Sequence, residues 1–196
     1  MTGRKQFDVD EALDKAMAVF WQRGYADASL DLLSAATGLG RGSLYGTFTG
    51  KDELFRRALD RYCATYGARY EDALTAHPGD PVRAVEAFFE VVLARIGDPA
   101  VPKGCLVAQS AAQSEVLTAD SATHVRHLLD RQRARIRAAL DDSHADPGTL
   151  DDLATYVLAV NQSLAVLSRA GIPDGELRAV VRLTCETVAN QLTAVG

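Results

Sequence analysis

The chain has 196 residues, 47% of them hydrophobic and 24% charged, with a formal net charge of −5, an ordinary globular composition and enough length to bury a core as one domain or two small ones. No apolar run approaches the roughly eighteen residues of a membrane span. MTGRKQFDVDEAL at the N-terminus has basic residues without an apolar stretch after them, so no signal peptide is evident and a cytoplasmic location is expected.

Every long segment reads at helical period. Val9, Leu13, Ala16, Met17 and Phe20 recur at three and four residues, which predicts a first amphipathic helix stopped near Arg23-Gly24. Ser29 is a natural N-cap for a second helix, with Asp31 favourable in its first turn, running through Leu33 and Ala36 to Gly38. A third helix is expected from about Arg41 and a fourth from Lys51 to Leu74, ending before the breaker His77-Pro78-Gly79-Asp80-Pro81. Val82, Val85, Phe88, Phe89, Val92 and Ile96 outline a fifth, stopped at Gly97-Asp98-Pro99, after which residues 97–104 form a loop. Further helical segments are expected over about 105–117, 121–142, 149–170 and 173–195, which makes about nine helices. With no strand-like alternation and no internal repeat, the fold class is all-α.

The three cysteines, Cys63, Cys105 and Cys185, are far apart and form no CxxC pair, which argues against a zinc knuckle or a disulfide framework. The charge is unevenly divided. Residues 1–62 hold nine basic and nine acidic side chains, while the rest hold twelve basic and seventeen acidic. The N-terminal part is therefore the less acidic one, and a local cationic edge at Arg41 and Lys51 suffices for specific DNA contact.

Residues 29–54, SLDLLSAATGLGRGSLYGTFTGKDEL, have the layout of a helix-turn-helix. An apolar-periodic segment breaks at Gly38, the polar-aromatic run Arg41-Gly42-Ser43-Leu44-Tyr45 follows, and Gly50-Lys51-Asp52-Glu53 starts the next helix. Arg41 can reach guanine O6/N7 in bidentate fashion or bridge phosphates. Gly42 permits close backbone approach, Ser43 and Thr47 can bond bases or phosphates, and Tyr45 offers a hydroxyl to phosphate. Lys51 would sit beside free backbone N–H groups at a helix start, and Ser29 is suited both to capping and to a phosphate. Leu44 and Phe48 belong to the core. The plain surface or packing role stands beside each polar assignment.

Further along, Tyr62, Tyr66 and Tyr70 recur every fourth residue on the fourth helix, as core or as the wall of a ligand pocket. Phe88, Phe89, Gln109, Gln113 and Asn161 are candidate further walls, with polar groups to orient a mainly apolar ligand. Asp120, His124 and His127 fall at i, i+4 and i+7, so one helix face could present three metal ligands; surface histidines are the commoner case. The last two helices each carry a broad apolar face, from Leu150 to Leu167 and from Leu177 to Leu192. Part of that surface is core, and the rest is expected to form a homodimer interface, because operators are commonly two-fold. No HExxH, Walker loop, GxGxxG or Ser/His/Asp set is present, so a helical enzyme or an adaptor is the weaker alternative and no cofactor is expected.

With this motif placed after a first helix ending Phe20-Trp21-Gln22-Arg23-Gly24-Tyr25, the chain resembles the TetR/AcrR family of bacterial one-component transcriptional regulators. The matching residues are Phe20, Gly24, Tyr25, Ser29, Gly38, Arg41-Gly42-Ser43-Leu44-Tyr45, Phe48 and Lys51-Asp52-Glu53-Leu54, about the first sixty positions. Gly40, Gly46 and Thr47 depart from the residues usual there. Gly104-Cys105-Leu106 recurs after the same loop in one branch of the family.

The resemblance implies an Ω-shaped homodimer with a helix-turn-helix head (residues 1–50), joined through the fourth helix (51–74) to an effector-binding and dimerisation body (51–196). It also implies a repressor of a palindromic operator, released by a small-molecule effector. A thiol-based or metal-responsive regulator of the same fold is the alternative. Cys105 is the candidate thiol, because it follows Lys103 and opens a helix, where the dipole and a nearby cation favour the thiolate. The opposing reading is a small, inert, buried residue under the loop.

Overall fold

The computed structural model describes residues 9–143 and 145–193. Among them are nine α-helices and no strand: α1 Val9–Asp27, α2 Leu30–Thr37, α3 Arg41–Thr47, α4 Lys51–Thr75, α5 Pro81–Gly97, α6 Leu106–Ala112, α7 Ala119–Leu140, α8 Pro147–Arg169 and α9 Asp174–Thr193. Residues 1–8 of the N-terminal stretch read for a signal peptide and the expected helix end at Val195 lie outside the described residues.

Local chemistry sets the boundaries. The Ser29 hydroxyl accepts the Leu32 N–H at 3.2 Å and opens α2, and Gly38 ends it in the left-handed conformation, its N–H bonded to the Ser34 carbonyl. Asp80 and Asp146 cap α5 and α8, each followed by a proline in the first turn. Thr118 accepts from Ser121 N–H, so α7 starts two residues before the apolar pattern alone suggests. The segment expected to be helical over 105–117 divides into α6 and a 3-10 turn at Ser114–Val116.

Gly24 differs from a plain stop. The helical run continues to Asp27, but Gly24 sits at φ 79, ψ 173 and kinks it. That conformation is essentially restricted to glycine, and a Cβ there would lie 2.5 Å from Gln113 Oε1.

Two apolar cores share α4. The first joins Leu13, Phe20 and Trp21 of α1 to Leu33, Leu44, Phe48, Phe55 and Leu59, and continues into Leu106 of α6 and Leu128 of α7. The second joins Leu74 to Phe88, Phe89, Ile136, Leu153, Leu164 and Val188. Apolar packing therefore does not stop at residue 50. The helix-turn-helix rests on α4, and α4 rests on the body.

Candidate nucleic-acid interface and interior cavity

Leu44 and Phe48 are almost fully buried and fix α3 on the first core with its other face outward. Arg41, Gly42, Ser43 and Tyr45 are exposed and Thr47 is half-buried. A Cβ placed on Gly40, Gly42 or Gly46 would meet nothing within 4 Å, so no intramolecular packing calls for glycine at these three positions. The Arg41 guanidinium leans on Asp31 of α2, Nε to Oδ1 3.0 Å, with both side chains largely in solvent. Its charge is thus parked beside a carboxylate rather than buried. Glu53 accepts from the Thr49 N–H at 2.9 Å, which fixes the turn from α3 into α4.

Lys51 does not simply project outward. Its Nζ donates to the Ala26 carbonyl at 3.3 Å and lies 4.5 Å from the Tyr25 ring centroid. Burial lowers its pKa, against the opposing charge of Asp27. One of its three N–H bonds is engaged, and the ammonium ties the end of α1 to the start of α4.

Behind the head, α4, α5, α6, α7 and α8 enclose a cavity of about 470 Å³, within the range of small-molecule sites. Of the candidate pocket residues, Tyr62, Phe88, Cys105 and Asn161 line it, together with Tyr70. The other candidates lie elsewhere. Phe89 points into the second core, and Tyr66 packs edge-to-face on Trp21 and tilted against Tyr62, with centroids 5.4 and 5.0 Å away.

Gln109 and Gln113 are at the head–body junction. Gln113 Oε1 accepts the Tyr25 N–H at 3.2 Å, and Gln109 Oε1 accepts from Arg169 at 2.8 Å. The broken backbone at Gly24, a feature that periodicity does not report, supplies the donor for Gln113.

The cavity wall also contains groups that sequence reasoning missed: Cys63, Arg95, Arg131 and Arg135. Arg95 is 8% exposed. Its Nε–H is accepted by the Tyr70 hydroxyl and an Nη1–H by the Gly104 carbonyl. The Tyr62 hydroxyl donates to Cys105 Sγ at 3.3 Å. Burial raises the Tyr62 pKa well above the ordinary phenol value and pushes Tyr70 up to about 12, so both phenols are neutral at pH 7.

The alternative of a three-ligand metal face at Asp120, His124 and His127 does not assemble. His124 Nε2 is 2.9 Å from Asp60 Oδ1, and no group of three His, Cys, Asp or Glu side chains among the described residues is arranged to hold a metal ion. Nor is any described helix long and apolar enough to cross a membrane.

A family model described as bacterial regulatory proteins, tetR family, matches residues 12–58, the segment that builds α1 to α3 and the first turns of α4. The HTH-type transcriptional repressor ComR of Escherichia coli K12 is 31% identical over 172 residues, 85% of this chain and 82% of its own length. The chain belongs to the TetR family. Like the rest of that family, it is a DNA-binding transcriptional regulator. The HTH-type transcriptional regulator YezE of Bacillus subtilis is 33% identical over 111 residues, 57% of each chain. Among solved structures, a cysteine mutant of the TetR family regulator CifR, complexed with 26-bp double-strand operator DNA, superposes with a TM-score of 0.81. It is 31% identical, over 93% of this chain and 97% of that one. The reduced form of E. coli NemR shares the fold, with a TM-score of 0.78 at 18% identity, over 89% of this chain and 93% of that one.

Proposed function

We propose that this TetR-family chain is a ligand-responsive repressor that binds a palindromic operator as a homodimer and is released when a small molecule occupies the cavity behind α4. One observation carries the DNA side. The outward face of α3 offers Arg41, Ser43 and Tyr45 around glycines that face open space, a surface suited to close approach of a duplex. Arg41 would read a base edge or bridge phosphates after leaving Asp31. Ser29, Thr47 and the two remaining N–H bonds of Lys51 would take phosphates. The head (residues 1–50) and the body (51–196) would communicate through α4, whose first turn abuts α3 and whose Tyr62 and Tyr70 wall the cavity. This reading includes no catalytic step, and it puts the protein in the cytoplasm with its DNA.

The test is footprinting of the purified protein on the DNA flanking its own gene, where a protected palindrome is expected. Arg41→Ala should weaken binding by roughly 1–3 kcal/mol and relax the preference at one base per half-site. Full operator affinity in a folded Arg41→Ala/Lys51→Ala protein would remove α3 and the α4 start from the DNA surface.

A thiol-based release mechanism is the second reading, favoured by Cys63 and Cys105 lining the same cavity. Cys105 is the N-cap of α6, a helix of seven residues, so the dipole behind it is short.

A further inference from the structure

The cavity wall contains a charge without a counter-charge. Arg95 is 92% removed from solvent by its 8% exposure, yet among the described residues no carboxylate lies within 4.0 Å of it. Its acceptors are a phenol and a main-chain carbonyl, and its Cζ lies 6.0 Å from the Trp21 ring centroid. A guanidinium has five N–H bonds, and those on Nη2 have no acceptor among the described residues. Burying an unpaired cation is costly, and Tyr62 and Tyr70, both neutral, do not offset it. The other cavity charges are mixed, and Arg131 is the one that adds to the imbalance. Arg135 is paired with Glu71 at 3.1 Å, Arg131 has no carboxylate within 4.0 Å among the described residues, and the acid Asp60 is engaged by His124.

Two other features carry less. An open groove of about 1020 Å³ between α5 and α9 is larger, but its arginines are already satisfied, Arg178 by Asp174 at 2.6 Å and Arg182 by Glu186 at 3.0 Å. The exposed Arg41 has Asp31 beside it.

We infer that the cavity takes an organic anion, a small molecule that presents a carboxylate or comparable compact anionic group to Arg95 and an apolar body to Phe88, Leu74, Leu128 and Val107. The anion supplies the missing counter-charge at the buried end of the cavity, where Arg95 is shielded from water and a charge-assisted, bidentate contact is strongest. Arg131, exposed at the cavity rim, draws the anion toward it. A purely structural Arg95, present only to hold the Gly104 carbonyl against α5, would make the cavity indifferent to ligand charge. This inference rests on the cavity being the effector site, as proposed above.

The experiment is calorimetric titration of the full-length protein with 2-naphthoate, cinnamate and decanoate, each compared with its own primary amide. At least one acid should bind at least tenfold more tightly than its amide, and Arg95→Met should bring the two together. Trp21 is the sole tryptophan, and its ring lies 4.9 Å from Tyr62. Decanoate, which does not absorb, should therefore change its emission while decanamide does not, a readout that survives even if Arg95→Met fails to fold.

Equal affinity within every pair overturns the inference. So does absence of saturable acid binding below about 1 mM, or acid binding that leaves Trp21 unchanged. Operator release separates the two readings. An acid that binds through Arg95 but leaves the operator bound refutes the effector role and keeps the anion site. A neutral compound that releases the operator, with no acid bound, does the reverse.

Discussion

The guanidinium of Arg169, in the last turn of α8, donates to the main-chain carbonyl of Trp21 in α1 at 3.0 Å. Its other terminal nitrogen donates to the Gln22 carbonyl at 2.9 Å. In an unbroken helix the Trp21 carbonyl would take the Tyr25 N–H. The kink at Gly24 diverts that N–H to Gln113 Oε1 at 3.2 Å. Side chains of α8 and of the segment after α6 thus satisfy both halves of a broken turn in the DNA-binding head, and a cation lies at the negative end of the first part of α1. This makes Arg169 a coupling between the cavity-bearing body and the head.

Arg169→Ala should lower unfolding free energy by about 1 kcal/mol in urea titrations, the modest value reflecting an exposed donor. Arg169→Lys should recover only part of this, because one ammonium does not reproduce a planar fork across two carbonyls. The functional expectation is sharper. Ligand binding to Arg169→Ala should persist while ligand-dependent loss of operator affinity shrinks. Unchanged release in a gel-shift titration would remove Arg169 from the coupling path.

Gly24 is the position least tolerant of a side chain. Any other residue must adopt φ 79, ψ 173 and displace the Gln113 amide, which a Cβ would approach to 2.5 Å. Gly24→Ala is expected to cost roughly 1–3 kcal/mol from backbone strain alone. Because Gln113 would also release the Tyr25 N–H, the loss should be greater in the head, read by hydrogen exchange at residues 20–30. A neutral effect on the melting temperature would mean that the kink relaxes without penalty.

The architecture was largely legible because caps and apolar periodicity are local. Ser29, Gly38, Asp80 and Asp146 each set a boundary that neighbouring residues suffice to explain. What escaped depends on contacts across long chain separations. Gln109 and Gln113 look like pocket polar groups until the kink at Gly24, far away in sequence, frees the Tyr25 N–H that engages Gln113 and brings in Arg169, which engages Gln109. Lys51 looks like a free cation until Ala26 and Tyr25 come beside it. Phe88 and Phe89 are adjacent, chemically alike and both part of the second core, yet the helical turn of about 100° between neighbours leaves only Phe88 at the cavity wall.

Two glycines in the seven residues of α3 should make that helix intrinsically weak. Since a Cβ at Gly42 or Gly46 meets nothing within 4 Å, Gly42→Ala and Gly46→Ala should each stabilise the free protein by about 0.5–1 kcal/mol. If α3 lies against DNA with Gly42 close to the phosphates, Gly42→Ala should nonetheless weaken operator binding. Opposite signs in melting temperature and operator affinity are the expected signature. A Gly42→Ala protein that is more stable and binds DNA unchanged would detach this glycine from DNA contact.

The cysteines should differ in reactivity. Burial pushes the Cys63 thiol up to about 12, with the neighbouring Cys105 adding to the shift. Burial, with Glu86 and Glu90 nearby, pushes Cys185 up to about 11. At pH 8 their thiolate fractions are on the order of 10⁻⁴ and 10⁻³, rising about tenfold per pH unit. Iodoacetamide labelling followed by peptide mass spectrometry should find both slow and steeply pH-dependent. A thiol-based release mechanism requires Cys105 to label faster than either and requires Cys105→Ser to abolish the response. Slow labelling at all three leaves a non-covalent effector.

Dimerisation through α8 and α9 depends on which side of each helix is tested. Leu164 is fully buried and Val181 is 8% exposed within the single chain, so an arginine at either would be an uncompensated charge in the intramolecular core and should prevent folding. Neither position reports on an interface. The outward faces carry Tyr156, Val166 and Leu183, at 38%, 57% and 53% exposure, large apolar side chains that a subunit interface would cover. Val166→Arg and Leu183→Arg should therefore leave the helical circular dichroism signal intact. Light scattering should then find monomers, and operator affinity should fall because only one half-site is engaged at a time. If both variants remain dimeric and bind the operator normally, the subunits meet on another surface, and the apolar faces of α8 and α9 serve the intramolecular core alone.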